Sequence, residues 1–391
     1  MSTQLDDISP SEIGKRLQIA RKNAKITQAD AAAAIDVART TLVAIEQGQR
    51  TIRVNELQRL SRLYGTTVNE LLRREAIHVD LAPHFRKSAG VAADAAVKLM
   101  SNLAKAEVEL ENLLGVKRVR NYPPERPILG GDVAAQAEHD AAELRQRLGL
   151  GIGPIADIVT LLEMELGVRV YIRRFEGRIS GLFAYDETLG PCMLLNANHP
   201  RGRRTQTAAH ECGHLVSTRR EPEILHIDEP ETSREERYAC AFGRALLTPA
   251  RGVAQMFNQV IAGSDRLTRR QVIVLAHFYG VSREAMVRRL EELRLVKEGT
   301  WTWFEANGGI TDEQERQILG DLRTPDAQKA EAERPTTLRL NLLAEEAYRR
   351  ELLSEGQLAR LLHLDRVEVR DILNSLNLEG GEANAAPNVL A

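Results

Sequence analysis

His210-Glu211-Cys212-Gly213-His214 is the stretch of this chain whose residue types and spacing can do the most chemistry. On a helix, positions four apart share one face, so His210 and His214 can offer two imidazoles to one metal ion. Glu211 lies about a hundred degrees round the same helix, where its carboxylate can reach a water on that metal. Two imidazoles, a general base and a zinc ion that lowers the pKa of its water are the parts of a hydrolytic centre. Ala208, Ala209, Leu215 and Val216 around the motif argue for a helical, largely buried setting.

A catalytic zinc takes three protein ligands and keeps one position for water. The stretch from Thr232 to Pro249 reads as a second helix, capped by Thr232 or Ser233, with Glu235 and Glu236 in its first turn. Ala239, Phe242, Ala245 and Leu246 form its apolar stripe. Glu236 borders that stripe and is the candidate third ligand. Glu235 is the alternative, and both glutamates also favour a helix N-terminus in their own right. Cys240 stands one turn beyond Glu236 on the same face, a candidate for the layer behind the ligands. It can be an inert small hydrophobe, a thiolate that closes the open position, or an oxidant-sensitive group with Cys212 as partner.

The combined pattern, AHExGH followed by ExxA, Phe242 and LL-x-P, resembles the ImmA/IrrE family of zinc metallopeptidases over roughly residues 131 to 260. The resemblance implies one zinc on His210, His214 and Glu236, with Glu211 catalytic. Two positions depart from it: Cys240 stands where Asn or Asp is usual, and Gly243 where Ala is usual.

These helices need a body to hold them, and 391 residues leave room for two or three domains. The composition is 43% hydrophobic and 28% charged but only 4% aromatic, rich in helix formers. No apolar run is long enough to span a membrane and the chain shows no basic-then-apolar leader pattern, so a cytoplasmic location is expected. Three cysteines make no disulfide framework. Net charge is -2, but residues 10–75 hold twelve Lys and Arg against seven Asp and Glu, a net +5, leaving -7 for the remainder. That asymmetry points to a basic module that meets a polyanion.

The basic stretch reads as five short helices. Ser11 caps the first, with Ile13, Leu17 and Ala20 inside; Thr27-Gln28 opens the second; Asp36-Val37 turns into a third over Ala38 to Glu46, stopped at Gly48. Leu57, Leu60 and Leu63, then Val68, Leu71 and Leu72, supply the last two buried faces. Thr27-Gln28, Ala31, Val37, Thr41-Leu42, Ile45-Glu46 and Gly48 resemble the XRE (Cro/repressor-like) helix-turn-helix family over about 60 residues. The resemblance implies a third helix in the major groove. Arg39, Thr40 and Thr41 are then the candidates for base edges, and Gln28, Gln49 and Arg50 for phosphates. Asp36 replaces the usual turn Gly and Ala38 the usual capping Ser; Asp tolerates a left-handed backbone.

The fold class expected is mainly α with a small β-sheet (α+β). Residues 10–75 form the helix-turn-helix domain and 76–130 a helical connector with a Pro-rich linker at Tyr122–Pro127. The metallopeptidase-like domain covers 131–300, a C-terminal helical module 301–379, and a disordered tail 380–391. Ala92, Ala96, Leu99, Leu103, Ala106, Leu110 and Leu113 make a seam that either pairs two chains or packs on its own protein. Helices are expected near 132–148 and 154–166, and strands at 168–174, 180–185 and 192–196. Tyr279-Gly280-Val281-Ser282 centres a second helix-turn-helix-like pair. Ala344, Ala347, Leu352, Leu353, Leu358, Leu361, Leu362, Val369, Ile372 and Leu373 are the core expected near the C-terminus. The function expected is a DNA-binding regulator, homodimeric on an operator, whose zinc site cleaves a repressor, a partner or the chain itself. The alternative is an antitoxin that represses its own operon and neutralises a toxin, with a structural or switch-like zinc.

Overall fold

In a computed structural model the described residues are 10–66, 68, 71, 81, 91–175, 178–220, 223–226, 233–263, 266–320 and 337–376. Two compact units result, Met1–His78 and Val79–Ala391.

The first unit holds α1 (Pro10–Asn23), α2 (Gln28–Ala34), α3 (Arg39–Glu46) and α4 (Val54–Leu63). Leu17, Ala31, Leu42, Ile45, Leu57 and Leu60 close its core. Thr27 caps α2, its hydroxyl accepting from the Asp30 amide, and Ala38 caps α3 with no side-chain bond. Asp36 takes the left-handed turn at φ 55. Two details differ from the sequence reading. Pro10 opens α1 in place of a Ser11 cap, because a first-turn proline lacks only an amide that has no helical partner. Leu63 is exposed, and Ser61 and Tyr64 take the buried face with Leu57 and Leu60, as a period of 3.6 requires. Most of the fifth helix, Leu72 included, lies outside the described residues, as do the 324–336 linker and the tail from 380.

The second unit is built on a sheet of four strands in the order β1-β3-β2-β4: β1 (Arg169–Arg173), β2 (Ile179–Asp186), β3 (Gly190–Asn196) and β4 (Glu223–His226). β1 and β3 are parallel, with Arg169 opposite Cys192. β2 runs antiparallel to β3 and to β4. The first three strands fall where alternation placed them, and β4 had no such signal. One face of the sheet, with Val170, Phe183, Met193 and Leu195, packs on α8 (Arg201–Ser217) and α9 (Arg234–Leu247), which follow in the chain. Helix α6 (Val133–Arg147) backs α9, and α7 (Ile158–Thr160) runs on as a π turn through Glu165.

The other face meets α5 (Val91–Leu114). Of the 92–113 seam, Ala96, Leu103, Ala106 and Leu110 are buried within this unit, together with Met100, Ala104 and Val108, whereas Leu99 is half-buried and Leu113 is exposed. Tyr122–Pro127 also lies on this body: the Arg126 amide donates to the Val216 carbonyl at 2.8 Å, and Arg126 pairs with Asp140. Helices α10 (Ala250–Ile261), α11 (Arg269–Tyr279), α12 (Arg283–Glu292), α13 (Thr300–Ala306) and α14 (Asp312–Leu319) continue the unit. Phe304 and Ile310 join Val272, Ile273 and Val287 in one cluster. α15 (Leu338–Arg349), α16 (Glu355–Leu362) and α17 (Arg366–Leu376) return to α5. Leu352 is 40% exposed, and Leu340 and Leu343 fill the core instead.

A buried charge cluster joins these parts. Glu107 and Glu111 of α5 meet Arg118, Arg169 of β1 and Arg339 of α15, with Arg169 Nη2 to Glu111 at 2.8 Å and Arg339 Nη2 to Glu111 at 2.8 Å. The Tyr171 hydroxyl donates to Glu107 at 2.7 Å. Beside it the Arg339 amide donates to Glu163, a carboxyl that burial pushes up to about 7. Charges this deep are tolerated only when each finds a partner.

Helices α8 and α9 cross with their backbones in contact. A Cβ on Gly213 would stand 2.7 Å from the Ala239 Cα, and one on Gly243 would stand 2.9 Å from the His210 nitrogen. Gly213→Ala and Gly243→Ala should each cost about 2 kcal/mol through overpacking, whereas Gly202→Ala, on the same helix with open space around it, should be neutral or slightly stabilising. Thermal unfolding of the three variants decides it, and equal midpoints would remove the backbone-contact argument. Glu163 gives a pH test. Its folded pKa lies above the ordinary 4.5, so the fold binds the proton more tightly than the unfolded chain. Stability therefore falls as pH rises from the ordinary value through about 7. Glu163→Gln should match the wild type at acid pH and be more stable at alkaline pH, by on the order of 2 kcal/mol, in denaturant unfolding.

Candidate metal centre and nucleic-acid interface

The α8–α9 crossing sets the site. His210 and His214 lie one turn apart on α8, and Glu236 stands in the first turn of α9, whose cap is Ser233, its hydroxyl accepting from the Glu236 amide at 3.0 Å. His210 Nε2 and His214 Nε2 are 3.1 Å apart. Glu236 places Oε2 3.3 Å from the first and Oε1 3.2 Å from the second. Ligand atoms of all three residues lie within 4.8 Å of one another. Glu235, one residue earlier, is not in that group. Burial pushes the Glu236 carboxyl up, but hydrogen bonds from His210 and His214 outweigh it and hold the group well below the usual carboxylate range.

The rear nitrogens of both rings are engaged. His214 Nδ1 is 2.9 Å from the Thr218 hydroxyl, and His210 Nδ1 is 3.4 Å from the Cys240 sulfur. An imidazole held from behind through Nδ1 points its Nε2 lone pair forward, the arrangement a metal ligand needs. Two such nitrogens and a carboxylate facing one another suit zinc. Cys240 thus sits behind His210 rather than among the front atoms, where sulfur is a weaker acceptor than an Asn or Asp oxygen. Thr218 is the residue sequence reasoning passed over: four places after His214, it had a spacing signal but no motif. Cys212 is fully buried away from the front atoms, and burial pushes its thiol up to about 12, which leaves it unreactive.

Glu211 is 0% exposed. It lies under β2, where a Cβ on Gly181 would meet Thr207 Cγ2 at 2.6 Å and Glu211 Oε1 at 3.4 Å. Only a glycine lets that strand come so close to α8. A cavity of about 1150 Å³ opens from His210 and Cys240, passes Ser180 and Arg244, and reaches α12 and α14. A second cluster, His139, Asp140 and Glu143, has its carboxylates taken by Arg126 and the Tyr238 hydroxyl.

In the first unit Arg39 and Thr40 are exposed at the start of α3, and Thr41 is half-buried behind them. Gln49 is exposed after the helix. Gln28 instead donates to Glu46 at 3.0 Å and accepts from Arg39 at 3.4 Å. Arg50 is held by both oxygens of Glu56, at 2.8 and 3.1 Å. Glu46 anchors this surface through Arg21 at 2.6 Å; burial raises its carboxyl, and Arg21 and Gln28 more than reverse the effect.

Two family models match the chain. Residues 17–71 match a helix-turn-helix family, and residues 163–291 match the IrrE N-terminal-like domain. The second match starts at Glu163, takes in the metal-ligand group and runs through the α11–α12 pair. A search of curated proteins gives no match. Among the described residues no helix is long and apolar enough to cross a membrane. The chain thus joins a helix-turn-helix module, similar over residues 17–71 to those of DNA-binding regulators, to an IrrE/ImmA-like metallopeptidase-family domain over residues 163–291.

Proposed function

We propose that the chain is a transcriptional regulator whose second unit is a zinc peptidase acting on a protein partner. The convergence of His210, His214 and Glu236 beside the buried Glu211, at the end of an open cavity, carries this reading. His210 and His214 would hold one zinc through Nε2 and Glu236 through its carboxylate; Thr218 and Cys240 would orient the two rings. Zinc, when bound, would supply Lewis acidity toward a scissile carbonyl and toward water. Glu211, buried under Gly181, takes a proton from the attacking water and passes it to the leaving amine. In the first unit Arg39, Thr40 and Thr41 read base edges of an operator bound as a dimer. Gln49 contacts a phosphate, while Gln28 and Arg50, expected there too, are held on Glu46 and Glu56 and brace that surface.

Metal analysis tests the ligand set. His210→Ala and Glu236→Ala should each cut bound zinc at least about tenfold, and Glu211→Gln should keep it while losing peptide hydrolysis. Full zinc in Glu236→Ala would move the third ligand elsewhere. Zinc retained with no hydrolysis by the wild type, together with capture of a toxin, is the outcome that the antitoxin alternative requires. Mobility shifts on the chain's own promoter test the other half. Arg39→Ala should lose about 1–3 kcal/mol of discrimination between operator and random DNA, whereas Gln49→Ala should weaken both alike. Undiminished specificity in Arg39→Ala would remove that residue from the reading surface.

A further inference from the structure

We propose that Gln28 is a positioning residue for sequence reading, which holds Arg39 in place as a pure donor so that Arg39 reads guanine. The inference rests on the DNA-binding reading above and names the base that the first turn of α3 meets. Gln28 and Arg39 are the first residues of α2 and α3. Their side chains meet where Arg39 Nη2 donates to Gln28 Oε1 at 3.4 Å.

The direction of that bond is set from underneath. Glu46 is buried, and Arg21 grips both of its oxygens, at 2.6 and 3.1 Å. Gln28 Nε2 donates to one of them at 3.0 Å. Burial raises the Glu46 carboxyl, and hydrogen bonds from Arg21, Gln28 and Gln18 more than reverse it. An ionised carboxylate only accepts, so the Gln28 amide turns its NH2 group toward Glu46 and its oxygen toward Arg39. The opposite setting would put donor against donor at Arg39 and acceptor against acceptor at Glu46. A buried carboxylate thus decides, through one amide, what an exposed arginine finds beside it.

Arg39 is exposed and, among the described residues, meets no carboxylate. Asp30 and Asp36 are engaged elsewhere, by the Thr27 hydroxyl and by Arg59, at 2.7 Å each. The Gln28 oxygen occupies one of the five guanidinium N–H groups and leaves four. At 3.4 Å the bond is long, enough to orient the side chain and too weak to keep it from DNA. A group that only donates needs two acceptors side by side. In the major groove guanine offers them at O6 and N7, whereas adenine sets its N6 amino group beside N7. A side chain ordered before contact also loses less freedom on binding. Gln28 therefore acts through Arg39 and not on a phosphate of its own.

The test is selection of binding sites by the full chain from a pool of random duplexes, followed by titration of selected and unselected duplexes. The wild type should select guanine at one position of the site, and Arg39→Ala should lose it there. Gln28→Ala and the shape-keeping Gln28→Met should weaken that preference roughly threefold to tenfold, the size expected from one side chain left unordered. Both should bind unselected duplexes as the wild type does, which also shows that they fold. In an Arg39→Ala background, either change at Gln28 should alter nothing further. Equal weakening on selected and unselected duplexes would make Gln28 a phosphate contact and overturn the proposal. An additive loss in the double variant, or another base at the position that Arg39 governs, would overturn it too. A guanine preference that Gln28 does not affect sinks this inference alone, and no selection at all sinks the DNA reading with it.

Discussion

The contact between the backbones of α8 and α9 is the constraint on which the second unit depends. Most helix pairs stand 8–10 Å apart, separated by side chains. Here Gly213 and Gly243 remove that spacer, and Ala209 and Ala239 complete the close approach. The short carboxylate of Glu236 then reaches two imidazoles on the neighbouring helix at once. The same closeness fixes rotation as well as distance. Glu235 lies a hundred degrees round α9 from Glu236, so at this separation only one of the two glutamates can face α8. The structure gives Gly243 a reason: an Ala Cβ there would press on the His210 and Ala209 backbone.

Behind the sheet the constraint is charge rather than volume. Arg169 and Tyr171 alternate with Val170 on β1, so one strand serves an apolar face and a buried ionic one. Glu107 and Glu111 come from α5, Arg118 from the chain just after it, Arg169 from β1 and Arg339 from α15, so elements far apart in sequence meet over one cluster. Removing one partner leaves a buried charge without compensation, a cost of several kcal/mol. The cluster therefore couples the C-terminal helices to the sheet that carries the site. It also seats Glu163 where its charged form is disfavoured.

What could be read from the sequence was what depends on local spacing. The two His at i and i+4, the Ser233 cap, the stripe of α9 and the turn at Asp36 all follow from periodicity and backbone rules, and the first three strands from alternation. Relations between distant residues were not legible. Nothing in Arg169 or Arg339 announces a buried partner; each reads as a solvated arginine until the fold brings Glu107 and Glu111 to it. Thr218 behind His214 was hidden for a related reason, because hydrogen-bond partners of a ring are set by three-dimensional approach. The spacing of Cys240 from Glu236, in contrast, marks that residue as a candidate for the layer behind the ligands. β4 is short and irregular in register, too brief for alternation to mark it.

The two helix-turn-helix-like pairs show how far a shared local form leaves function open. In α2–α3 the turn delivers Arg39 and Thr40 to the surface, and among the described residues Arg39 has only the neutral Gln28 amide as partner, at 3.4 Å. Its charge stays available to a polyanion. In α11–α12 the corresponding turn at Gly280 ends one helix in the left-handed conformation, and Ser282 caps the next by accepting from the Ala285 amide. There the first arginine of the second helix, Arg283, is tied to Asp312 and Glu315, and the following turn lines the cavity that begins at His210. Its charge is spent within the chain, and its exposed face is turned to that cavity. The difference lies in what the first turn of the second helix meets, so the turn geometry that makes the two pairs alike cannot by itself assign DNA binding to both.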